Sequence, residues 1–225
     1  MSAGKAWTWI IVFSIAMGFL EAVVVVYLRQ IYYPEGFQFP LSAMSPGNFL
    51  VEVLREAATI TMLAGVGILA GRNSTQRIGF FLSSFAIWDL SYYLFLKIIL
   101  DWPQTWLTWD ILFLIPVPWM GPVWAPVMAS CTMLILGSLL VRSGGVADPY
   151  RIATREWILL SGGSLLIILS WTWDYLIISG NNPGGLNTLA ALTRYVPEHY
   201  QWWTFGAGEI LILAAVYLFW KRTKT

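Results

Sequence analysis

Apolar residues in this chain gather in blocks of about 20, the length that crosses a bilayer as a helix. Six blocks emerge, at about 7–32, 48–70, 78–100, 121–141, 157–179 and 202–220. Turn-forming residues separate them: Pro34-Glu35-Gly36, Gly71-Arg72-Asn73, Ser143-Gly144-Gly145 and Asn181-Asn182-Pro183-Gly184-Gly185. The pattern predicts an all-α polytopic membrane protein, one integral domain of six transmembrane helices arranged as three hairpins.

One stretch breaks the rule. Residues 107–142 are too long for one span and too short for two. The run Pro116-Val117-Pro118-Trp119-Met120-Gly121-Pro122, with Pro126 beyond it, cannot be continuous regular helix. The expectation is a short helix over Trp106–Ile115, re-entrant or lying on the outer face, then a break, then the fourth span. Irregular backbone at membrane depth has to be buried in protein or line a wet cavity, and broken helices mark binding sites in transporters.

Charge sets the orientation. In the six-span topology Lys5, Arg72, Arg77, Arg142, Arg151, Arg155, Lys221, Arg222 and Lys224 fall on one side, nine of the thirteen basic residues. The positive-inside rule makes that side cytoplasmic, with both termini there, in a plasma or inner membrane. Of the acids only Asp148 and Glu156 share it. The apolar run after Lys5 continues past Glu21 to Leu28 with no clean cleavage site, so it is read as a retained first span and not a signal peptide.

The chain is 58% hydrophobic and 11% charged, with a net charge of +1. Scattered basic residues exclude a nucleic-acid partner. The single cysteine, Cys131, reads as a small buried hydrophobe and permits no intramolecular disulfide. The single histidine, His199, excludes a bis-histidine haem and a multi-histidine metal cage, and reads as a free interfacial group. No Walker motif, Cys-x-x-Cys, mid-span retinal lysine or CAAX-protease pattern is present. Glu-x-x-His and EF-hand loops are missing too, so neither a cofactor nor a metal can be named from the residues.

Within this apolar background six acids fall inside predicted spans: Glu21, Glu52, Glu56, Asp89, Asp174 and Glu209. An ionised carboxylate in hydrocarbon costs several kcal/mol, so each calls for a partner or a job. Only Arg55 is comparably embedded; Arg29 and Lys97 lie nearer a helix end. Glu52 and Glu56 are four apart and share a helix face, with Arg55 reaching the same side. Arg55 is either the cation between them, a structural ion-pair bridge to another helix, or an anion grip. Asp89 sits near mid-span, Glu21 slightly outward of centre, Asp174 near the outer end, and Glu56 and Glu209 at similar depths. Asp110 is explained as a first-turn acid of the short helix.

Fourteen tryptophans add a second signal. Trp7, Trp9, Trp102, Trp106, Trp109, Trp202, Trp203 and Trp220 fit interface belts. Trp88, Trp171 and Trp173 neighbour Asp89 and Asp174, as indole-to-carboxylate hydrogen bonds or as an organic-cation cage. Glu21 precedes Arg29, and Asp89 precedes Lys97, by eight residues, a weak hint of duplication.

Three functions are compatible with this pattern. The first is a carrier or binding protein for a cation, whether proton, metal or organic amine, at a carboxylate-rich, Trp-lined site in the outer half of the membrane. Its candidate residues are Glu21, Glu52, Arg55, Glu56, Asp89, Asp174 and Glu209. The second is an intramembrane enzyme, its paired carboxylates and Arg55 acting on an amphiphilic, lipid-type ligand. The third is a structural subunit of a membrane complex. The bilayer is the implied partner in all three, with a homo-oligomer also open.

Overall fold

The computed structural model describes residues 3–145 and 150–224; Asp148 lies outside them. The elements in order are α1 (Ala3–Tyr32), α2 (Pro46–Ala70), α3 (Ser74–Leu100), β1 (Trp109–Phe113), β2 (Trp119–Pro122), α4 (Trp124–Ser143), α5 (Thr154–Asn181), α6 (Gly185–Leu192) and α7 (Trp202–Lys224). Among them, six helices are long and apolar enough to cross a membrane: α1, α2, α3, α4, α5 and α7. The predicted spans match these helices, each within a few residues at its ends.

Local chemistry sets the helix ends. The Ser45 side chain caps α2 by accepting the Asn48 N–H, with Pro46 in the first turn. Asn73 caps α3 by accepting the Gln76 N–H, while its amide donates to Gly144 O at the far end of α4. Glu156 accepts the Ala153 N–H at the start of α5 and a two-pronged contact from Arg222 of α7, at 3.1 and 2.8 Å.

The helices are gathered around α3. Helices α1, α2 and α4 pack against it, α4 also touches α7, and α5 pairs with α7. Small residues make the close crossings, as expected where lipid offers no hydrophobic drive for helix pairing. A Cβ at Gly163 would lie 2.7 Å from Gly208 O, and one at Gly208 the same distance from Gly163 O. Gly79 and Gly137 oppose each other in the same way, each Cβ meeting the other's carbonyl at 2.8 Å. Helices α1 and α2 scarcely meet; each leans on α3, and a gap is left between their ends opposite the chain termini.

The stretch before the fourth span departs from expectation. No helix covers Trp106–Ile115: Trp109–Phe113 is a strand paired antiparallel with Trp119–Pro122. The segment Trp-Asp-Ile-Leu-Phe is rich in aromatic and branched residues that favour an extended chain. Pro116 and Pro118 turn it back on itself, the Ile115–Pro116 bond being cis. A paired ribbon satisfies much of its own backbone, as a helix would, so it meets the demand that apolar surroundings impose.

Other placements are corrected as well. Cys131 is exposed on the bundle surface, not buried. Trp102 is 7% exposed and belongs to the core, whereas Trp9, Trp106, Trp203 and Trp220 do face outward. Arg29 and Lys97, matched in the apparent repeat, have different partners, Asp110 and Asp101.

Candidate functional site

A cavity of about 400 Å³ occupies the gap between α1 and α2 at the end opposite the termini. The last turns of α1 supply Val25, Arg29 and Tyr32; the first turns of α2 supply Phe49, Glu52, Arg55 and Glu56. The hairpin closes it with Asp110, Ile111 and Leu114. A smaller chamber of about 50 Å³ continues inward, bounded by Glu21, Thr59, Trp88 and Asp89. Val25, Arg55, Glu56, Tyr92 and Ile111 line both spaces. The inner chamber has room for a water molecule.

The charges sort into answered and unanswered groups. Arg55 Nε donates to Glu52 Oε2 at 2.8 Å, and its Nη1 pairs with Glu21 Oε1 across the gap to α1. Thr59 Oγ1 donates to the other Glu21 oxygen at 3.3 Å. The guanidinium is thus the bridge between helices that the Glu52-Arg55-Glu56 triplet allowed. Among the described residues neither Glu56 nor Asp89 makes an ion pair. Glu56 is 8% exposed and its Oε2 accepts the Leu114 N–H at 2.8 Å. The Asp89 Oδ2 accepts from Ser130 Oγ of α4 at 2.8 Å. Both unanswered acids face the inner chamber.

A second ion pair forms one wall. Arg29 Nη2 meets Asp110 Oδ1 at 3.1 Å, and Tyr93 Oη donates to Asp110 Oδ2 at 3.4 Å. The Arg29 Cζ sits 3.7 Å from the Trp102 ring centroid and 4.6 Å from that of Phe37. An aromatic cage of the kind suited to a cation is therefore present, and the chain's own arginine fills it. Asp110 is not a first-turn acid but a buried partner for a base 81 residues away.

Five of the seven candidate residues come together here: Glu21, Glu52, Arg55, Glu56 and Asp89. Asp174 and Glu209 do not. Asp174 accepts from Tyr195, whose hydroxyl is pushed up to about 12 by burial and then by the Asp174 charge. Glu209 Oε2 accepts from Thr132 Oγ1 of α4 at 2.8 Å, while its Oε1 has no hydrogen-bond partner among the described residues. The indole-to-carboxylate bond expected at Trp88 is not made: its Nε1 is buried without a partner and its ring packs edge-on against Phe85 and Phe113. His199 is exposed. Among the described residues no three His, Cys, Asp or Glu side chains gather closely enough to hold a metal ion.

The residues missed from the sequence are Asp110, Thr59, Tyr92 and the Leu114 N–H. Asp110 carried a signal, an acid inside an aromatic segment, but the assumed helix explained it away. No family model, curated protein or solved structure matches the chain.

Proposed function

We propose that this multi-pass membrane protein binds an organic ammonium ion in the α1–α2 cavity, with Glu56 as its counter-charge and protons as the exchanged species. The observation that carries this reading is the state of Glu56. It lines an apolar cavity of ligand size, while the nearby guanidinium of Arg55 is engaged by Glu21 and Glu52. A carboxylate in low dielectric needs a positive partner. A proton or an ammonium at Glu56 each cancels the charge of that carboxylate, and Asp89 across the inner chamber offers a second acceptor through water. The absence of a three-ligand cluster among the described residues favours the proton and the amine over a metal. Nine of thirteen basic residues on the termini side support an outward-facing cavity in a plasma or inner membrane, with cytoplasmic termini.

The test is binding of a primary alkylammonium probe to the protein in nanodiscs, followed by uptake into proteoliposomes under a proton gradient. Loss of one charge-assisted contact in Glu56→Gln weakens binding about tenfold to a hundredfold. Asp89→Asn abolishes proton-driven uptake. Undiminished binding and uptake in both variants would sink the reading.

Glu52, Glu56 and Arg55 on one wall also suit the second reading, an intramembrane enzyme acting on a lipid-type substrate. It ranks lower because a substrate phosphate would have to compete with Glu21 and Glu52 for Arg55. The complex-subunit reading keeps only part of its motive: Asp110 has Arg29, and Glu21 and Glu52 share Arg55, which leaves Glu56 and Asp89 as the acids a partner's bases would have to answer.

A further inference from the structure

Beside the main cavity lies a second space of about 380 Å³. Phe49, Leu114, Pro118 and Leu192 line both, so the two are lobes of one groove. Their walls differ in chemistry. The first lobe carries Arg29, Glu52, Arg55, Glu56 and Asp110. The second is walled by Leu50, Val53, Ile115, Pro116, Val117 and Tyr175, with Gly185 and Thr188 at its α6 side, and none of the described residues that line it is charged.

Glu56 belongs to the junction. On α2 it follows Phe49 by seven residues and Val53 by three, so all three share one helical stripe. Its carboxylate is bonded to the backbone of Leu114, a wall residue of both lobes. The apolar lobe also borders the α2 surface that carries Leu50, Val51 and Leu54, which are 56%, 60% and 60% exposed. In a membrane that surface meets hydrocarbon. A small hydrophilic cation would leave the apolar lobe unfilled, and water there would find few polar partners. An alkyl chain attached to the ammonium fills it.

We infer that the ligand is a single-chain cationic amphiphile, its ammonium at Glu56 and its hydrocarbon chain in the lobe between α2, the hairpin tip and α6. This rests on the cation reading of Glu56 and adds the chain and its path. Charge complementarity selects the head, and the uncharged continuation of the same groove selects the tail.

The test uses a long-chain primary alkylammonium with a photoreactive diazirine at its far end, bound to the full protein in nanodiscs. After irradiation and digestion, the labelled residues are mapped by mass spectrometry. The expected label falls on 49, 50, 53, 114–118, 175, 185, 188 and 192, and excess unlabelled alkylammonium competes it away. Gly185→Trp removes most of it, because a Cβ at Gly185 meets nothing within 4 Å and the indole has room to occupy the lobe. Glu56→Gln lowers it about tenfold to a hundredfold at sub-saturating probe. Label that depends on Glu56 but maps to Val25 and Leu28 or to the outward-facing Leu69 and Ile98, untouched by Gly185→Trp, overturns the chain path and leaves the cation reading standing. Label in the lobe that is undiminished in Glu56→Gln overturns the cation reading and this inference with it. The mapping on the unmodified protein needs no variant to fold.

Discussion

Removing Arg29 strands a carboxylate. Arg29 and Asp110 are 7% and 3% exposed, so neither charge can turn to water when the other is lost. Breaking such a pair from one side costs about 3–5 kcal/mol, because the remaining ion keeps its desolvation penalty. Arg29→Met also gives up the guanidinium contact with Trp102, about 1 kcal/mol more. Asp110→Asn leaves the arginine uncompensated at similar cost, although the amide still accepts from Tyr93. The double variant Arg29→Met/Asp110→Asn buries no charge at all, and the methionine fills much of the arginine's space between Phe37 and Trp102. It should lose only about 1–2 kcal/mol, well under either single change. The coupling energy is then about 5 kcal/mol or more. Reversible unfolding titrated with SDS in mixed micelles, read by tryptophan fluorescence, gives the three free energies. A double variant destabilised by the sum of the two single losses would refute the buried pair.

Three further outcomes follow from the packing and hydrogen bonds of the bundle. Gly163→Val should cost about 1–3 kcal/mol in that titration, since its first side-chain atom meets Gly208 O at 2.7 Å, whereas Gly180→Ala, with open space around it, should be neutral or slightly stabilising; equal stability for both would deny the close α5–α7 crossing. Tyr195 is raised from 10.0 to about 12, so its contribution to stability is intact below pH 10 and is lost as pH climbs to about 12; the thermal midpoint should fall less over that window in Tyr195→Phe, and parallel curves would contradict the contact. Glu209→Gln should leave alkylammonium binding within about twofold of wild type, because Glu209 is bonded to Thr132 away from the cavity, and a loss comparable to Glu56→Gln would show that the two acids act together.

The spans were legible because hydrocarbon imposes a length, and the apolar blocks declare it residue by residue. The Glu52-Arg55-Glu56 constellation was legible for a similar reason, as helical spacing alone puts those groups on one face. What depth could not convey was direction around the helix. Glu209 and Glu56 were matched by depth, yet one is bonded to α4 and the other to the hairpin. Asp110 was misread because a local rule for helix starts sufficed, while its true partner, Arg29, is 81 residues distant. The hairpin itself was hidden by its length: an apolar strand pair and a short apolar helix look alike when prolines interrupt both.

Two of the half-buried acids are tied to α4 by hydroxyls only two residues apart, Asp89 to Ser130 and Glu209 to Thr132. Two residues separate side chains by about 200° around a helix, so the ties leave α4 on nearly opposite flanks. They work like a pair of guy-lines: twisting that column about its axis tightens both at once, whichever way it turns. Its azimuth is thereby pinned between α3 and α7 by hydroxyl-to-carboxylate bonds.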